Sequence, residues 1–130
     1  MKNVRWRDFT ALVASIGVAN HEAIGAAKAG VEGLALAAAA SYARSGVRVN
    51  CVAPGWIGGP NVETYIGWEA QARGCPPEEI RAEIEGRIPL RMIPPQDDIA
   101  QAVVFLASPL ARYITGTVIP VDGGLRRYAF

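Results

Sequence analysis

The sequence predicts an α/β protein with a parallel sheet, and three observations carry that expectation. A β-branched run, "VRVNCVAP" (Val47–Pro54), reads as a buried strand closed by Pro54-Gly55. Ahead of it lies a long stretch rich in alanine, leucine and glutamate, from about His21 to Arg44, which reads as a helix. Ahead of that, Ala11–Ile16 is apolar almost throughout and shows no period-two alternation, as a strand covered on both faces would. Strand, long helix and strand in that order make a βαβ unit, whose strands are parallel and whose crossover is right-handed.

The elements follow in order. Asn20 is a suitable N-cap for the first helix and Gly46 a suitable C-cap, with Glu22 favourably placed in the first turn. A loop rich in glycine and proline, "PGWIGGPNV", follows the second strand. Two helical patterns come next, one over about Val62–Arg73 and one opening at "PPEEI", with proline and glutamates in its first turn. "IPLRMIPP" reads as extended. "PQDDIAQAVVFLAS" begins like the previous helix and places Ile99, Val103 and Leu106 on one side. "TGTVIPVDGG" reads as a last strand ending in a glycine turn. No repeat, low-complexity tract or linker interrupts this pattern, so residues 1–130 read as one domain.

Composition narrows the function classes. At 130 residues, with 51% hydrophobic and 19% charged, the chain has enough apolar content for a real core. Thirteen basic against twelve acidic residues leave a net charge of +1 with no basic run, which favours neither nucleic acid nor an anionic membrane as a partner. Cys51 and Cys75 have neither CxxC nor Cys/His spacing, and His21 is the single histidine, so no metal site and no disulfide framework is expected. A reducing cytoplasm is the expected compartment. The N-terminal "MKNVRWRDFTALVASIGVANHEA" has the outline of a short signal peptide, but Asp8 interrupts its basic end and no small-x-small cleavage site follows. No segment is expected to cross a membrane, because Ser41 to Arg48 breaks the alanine-rich helix with charge and glycine.

Four pieces, in this order and spacing, resemble the C-terminal half of the short-chain dehydrogenase/reductase family: "AAKAGVEGLALAAA", "GVRVNCVAPGWI", "IPLRMIPPQDDIAQAVVFLAS" and "YITGTVIPVDGG". The resemblance implies the C-terminal half of a Rossmann-type doubly wound parallel sheet with flanking helices. It also implies NAD(P)-dependent oxidation of an alcohol or reduction of a carbonyl. NAD or NADP would be the cofactor, a small alcohol or ketone the substrate, and a homo-oligomer or a related subunit the partner. Lys28 matches the family lysine that holds the nicotinamide ribose and lowers the pKa of an adjacent tyrosine. Pro54, Gly55, Trp56 and Ile57 match the loop that receives the nicotinamide. Gly59 falls where the family often has a hydroxyl residue. Taken singly, Lys28 also reads as a solvated helix lysine, Pro54-Gly55 as a turn, and Trp56 as a core cap.

Three departures qualify the expected activity. The family's Gly-x-x-x-Gly-x-Gly loop is not found in these 130 residues, which makes the sequence look truncated or partial. Ile24 stands four residues before Lys28, where the family has its tyrosine, and an isoleucine neither donates nor accepts a proton. Tyr42, Tyr65, Tyr113 and Tyr128 have no lysine four residues on. Ser15 matches the catalytic serine only with a shortened connection to the helix. His21, seven residues before Lys28 and about 20° out of register on a helix, is a candidate replacement acid/base, as is Glu22; the plain alternative is that both simply begin the helix. The alternative function is a non-catalytic relic of the family acting as an oligomerisation or assembly module, with an exposed strand edge to cover.

Overall fold

The structure, a computed structural model, describes residues 5–9, 14 and 18–126, with the backbone alone described over 5–9. Among the described residues three strands and four α-helices follow one another: β1 (Arg5–Phe9), α1 (Glu22–Tyr42), β2 (Arg48–Pro54), α2 (Pro60–Arg73), α3 (Pro77–Arg87), α4 (Gln96–Ala107) and β3 (Val118–Val121). The sheet has the order β1-β2-β3 and is parallel throughout, with Arg5 opposite Arg48, Phe9 opposite Val52, Cys51 opposite Val118 and Pro54 opposite Val121. β2 is therefore central, and its five consecutive buried residues, Asn50 among them, agree with the buried strand expected at Val47–Pro54.

The first described strand, Arg5–Phe9, precedes the stretch the sequence predicts. Backbone pairing with β2 runs over Arg5–Phe9, whereas the expected Ala11–Ile16 falls, apart from Ala14, outside the described residues. Three charged residues among those five hide the strand from a reading based on hydrophobic runs, because pairing is made by backbone groups and not by side-chain type.

α1 packs on the sheet through a stripe at helical spacing. Lys28, Val31 and Glu32 are half-buried, and Ala35, Ala38 and Ala39 are buried; Val31 and the three alanines pack with Val49 and Cys51. Small alanines let the helix approach β2 closely. Asn20 is not the N-cap: it sits in the left-handed region at φ 63°, and His21 takes the cap position without a side-chain bond to the helix. Asparagine tolerates that conformation, which turns the chain into the helix. At the other end a single 3₁₀ turn (Ala43–Ser45) leads to Gly46 at φ 74°, as expected of a glycine terminator.

By length and composition the helical stretch Glu22–Ser45, 24 residues that contain an 18-residue window of mean hydropathy 1.3, is apolar enough to cross a membrane. This corrects the expectation that Ser41 breaks the run: the helix continues through the 3₁₀ turn. Its inner stripe covers β2 instead.

Two further clusters complete the core. Ile66 and Ala70 of α2 meet Ile80 and Ile84 of α3 and Ile88, while Val52 of β2 meets Ile99 and Leu106 of α4 and Ala111. Outside the first of these, Arg73 donates to both carboxylate oxygens of Glu83 at 2.9 and 2.6 Å, and Arg81 pairs with Glu63. Arg73 holds the Glu83 carboxyl below its ordinary range, first by hydrogen bonding. "IPLRMIPP" is not extended. Leu90 donates to the Gly123 carbonyl at 3.2 Å and Arg91 takes φ 58°, so the segment turns to bring Ile88 back onto the α2–α3 cluster. The segment before β3 is fixed to β2: Asn50, 6% exposed, donates to the Ile114 carbonyl at 3.0 Å and accepts from the Thr117 amide at 3.3 Å.

Candidate active site at the carboxyl edge of the sheet

Two contacts set the direction of α1 against the sheet. Ala39 lies beside Gly116, which leads into β3 at the amino edge, and Cys51 Sγ lies 3.9 Å from the Val31 carbonyl, further up β2. The helix thus begins at the carboxyl edge. Lys28 is one turn, about 4.5 Å, nearer that edge than Val31, and Pro54 is about 10 Å beyond Cys51 in the same direction. The topology therefore brings Lys28 and the Pro54–Ile57 loop to the same edge of the sheet.

Lys28 extends the sheet-facing stripe, so its stem is half-buried. One turn on, Glu32 pairs with Arg126 at 4.0 Å, a Coulombic contact that ties α1 to the turn after β3. Arg126 Nε and Nη2 are buried without a hydrogen-bond partner. Ile24, one turn before Lys28, is 51% exposed. His21 is exposed, and its Nδ1 lies 2.9 Å from the Ala19 carbonyl. Ser15 lies outside the described residues, as does Tyr128.

The loop after β2 is shaped by close approach. A side chain at Gly55 would come within 2.9 Å of Asp122 Cβ, and the Gly55 amide donates to Val121 at 3.2 Å. Asp122, 9% exposed, accepts from the amides of Gly124 and Arg126 at 2.9 and 3.0 Å. Its carboxylate thus builds the turn that the Asp-Gly-Gly pattern announced. The Gly58 amide donates to the Pro94 carbonyl at 2.8 Å. Between these anchors, the amides of Trp56 and Ile57 donate to no described residue. Trp56 packs on the α2–α3 cluster, its ring 5.5 Å from that of Tyr65, and Ile57 packs on the α4 cluster.

A cavity of about 500 Å³ opens between the starts of α2 and α4, lined by Ile57, Gly58, Gly59, Pro60, Asn61, Gln96, Ile99 and Ala100. No charged residue lines it. Asn61 and Gln96 were not singled out in the sequence; the only signal for them is their position at the start of helices that follow Gly59-Pro60 and Pro94-Pro95.

An open parallel sheet with a helix beginning at its carboxyl edge, and a loop crevice beyond the strand ends, defines the doubly wound α/β class, which binds ligands at that edge. Comparison with known proteins gives the family. The family described as Enoyl-(Acyl carrier protein) reductase matches residues 8–126. Cis-4-hydroxycyclohexanecarboxylate dehydrogenase of Sinomonas cyclohexanicum is 36% identical over 115 residues, covering 88% of this chain and 42% of that enzyme. Among solved structures, a short-chain dehydrogenase family protein from Francisella tularensis superposes with a TM-score of 0.89 at 27% identity, over 95% of this chain and 51% of the other. Actinorhodin polyketide ketoreductase, solved with NADPH, superposes with a TM-score of 0.87 at 28% identity, over 97% and 48%. The chain belongs to the short-chain dehydrogenase/reductase family and has its Rossmann-type fold; it spans about half the length of these relatives.

Proposed function

We propose that residues 1–130 are a partial Rossmann-type domain carrying the nicotinamide end of an NAD(P)-dependent alcohol/carbonyl oxidoreductase site. What supports this reading is that Lys28 and the Pro54–Ile57 loop lie toward the same, carboxyl edge of the sheet, and that the Trp56 and Ile57 amides are left without described partners. Those residues fit a nicotinamide. Two unpaired amides suit a carboxamide, Ile57 offers an apolar surface to a ring, and the Lys28 ammonium suits ribose hydroxyls. When bound, the cofactor supplies or accepts hydride. Lys28 holds the ribose, Pro54 and Gly55 set the path of the loop, and Ile24 provides no proton at the place of the family tyrosine. His21, exposed at the helix start and two turns from Lys28, is the candidate left to exchange the substrate proton, the plain alternative being that it only begins the helix; Ser15 is the candidate for the family's serine. The substrate is a small alcohol or ketone, a class to which the hydroxycyclohexanecarboxylate relative belongs by name. Cys51 and Cys75, which are not joined in a disulfide, suit a reducing cytoplasm.

Titration with NADH or NADPH, followed by the fluorescence of Trp56 and Trp68, tests this. A saturable change below millimolar cofactor is expected, and no saturable change at millimolar concentration sinks the reading.

A second reading, a non-catalytic assembly module, is favoured by one observation. Leu34 and Leu36 of α1 are 55% and 48% exposed, and Val104 and Phe105 of α4 are 66% and 43% exposed. Such apolar surface suits a second copy or a related subunit. A monomer at all concentrations in sedimentation would exclude self-association.

A further inference from the structure

We infer that Gln96 is a cofactor-binding residue, whose side-chain amide takes the place left by the missing side chain of Gly59 and recognises the nicotinamide carboxamide. The inference deepens the proposed function and rests on it. A Cβ built on Gly59 would stand 2.5 Å from Gln96 Nε2 and 3.5 Å from Gln96 Cδ, so the amide of Gln96 fills the space that any side chain at 59 would occupy. Gly59 also has φ 146°, a conformation that other residues rarely adopt. The glycine and the glutamine are thus one arrangement: the loop gives up a side chain, and α4 reaches across with an amide from its first position.

The cavity decides what that amide recognises. Gln96 and Asn61 are the amide side chains in a lining that holds no charge, and neither is hydrogen-bonded to a described residue. An amide offers one acceptor and two donors, the complement of another carboxamide. Two helix starts facing a cavity would ordinarily favour an anion. Here their first turns carry Glu63, Asp97 and Asp98, which oppose one. A neutral carboxamide fits and a carboxylate does not.

The test uses the whole chain with side-chain amide resonances assigned by ¹⁵N–¹H NMR. NADH, and separately nicotinamide, nicotinate and pyridine, are titrated into the wild type, Gln96→Ala and Gln96→Glu. NADH and nicotinamide should shift the Gln96 NH₂ pair, with nicotinamide bound more tightly than nicotinate or pyridine. Gln96→Ala should weaken NADH binding about tenfold, as for a lost hydrogen bond inside a pocket. Gln96→Glu, which keeps the shape and loses the donors, should weaken it at least as much. An unmoved Gln96 resonance in the presence of bound NADH, or NADH affinity within twofold of wild type in Gln96→Ala, overturns the inference and leaves the cofactor reading standing. No saturable response of the wild type to NADH overturns both. Because Gln96 is exposed at the helix start, Gln96→Ala is expected to keep the wild-type fold, which the backbone spectrum records directly.

Discussion

Lys28 draws its meaning from the stripe it extends. A lysine in the middle of an exposed face would be a solvated charge, but this one continues the row through Val31, Ala35, Ala38 and Ala39 toward the carboxyl edge. Under the proposed function, Lys28→Ala should weaken NADH binding about tenfold, the cost of one hydrogen bond from a charged group, read by the same fluorescence titration. Unchanged affinity would return Lys28 to its plain reading as a helix lysine. At this scale the sequence was partly legible. The lysine motif and Pro54-Gly55 could be found because they occupy fixed spacings. The closeness of Gln96 to Gly59 could not, because it spans 37 positions of sequence that no local pattern records.

Among the elements, α1 carries two glycines in its middle. Cβ atoms built at Gly30 and Gly33 meet nothing within 4 Å. Replacing either by alanine removes backbone freedom from the unfolded chain at no steric cost, and should stabilise the isolated chain by about 0.5–1 kcal/mol, measured by urea unfolding. If that outer face is a subunit contact, the same substitutions should instead shift the sedimentation profile toward monomer, so the two readouts separate helix propensity from assembly.

The α2–α3 clasp makes a second prediction at the element scale, and its sign follows from the direction of the shift. Glu83 has its pKa lowered from 4.5 in the folded chain, first by the hydrogen bond from Arg73 and against a smaller opposing effect of burial. The clasp is therefore fully present above about pH 4.5 and is lost as pH falls through the lowered value. Glu83→Gln should lower the melting temperature slightly at pH 7 and reduce the loss seen on acidification. Both partners are exposed, so the effect is small. The second of these helices was legible from its proline and first-turn glutamates. "IPLRMIPP" was not, because its turn is imposed by Ile88 seeking the α2–α3 cluster and by Leu90 bonding to Gly123.

For the whole molecule, stability depends on three separate apolar clusters disposed about a three-stranded sheet. Ile80, 2% exposed, lies in the cluster that joins α2 and α3 below the Trp56 loop. Ile80→Ala should cost about 2–5 kcal/mol and, because Trp56 packs on the same cluster, should also change the tryptophan emission of the folded state. A loss of stability with unaltered emission would show that the loop is held from the α4 side alone.

By itself the sequence determined the α/β class, the family, and the positions of the lysine and the Pro54-Gly55 turn, because those depend on periodicity and short-range spacing. Only the tertiary structure decided that β1 pairs over Arg5–Phe9, that Asn20 turns the chain before His21, and that Gln96 stands in the space at Gly59. Each of these is a contact or conformation set by segments distant in sequence, where backbone pairing and packing override what neighbouring residues prefer.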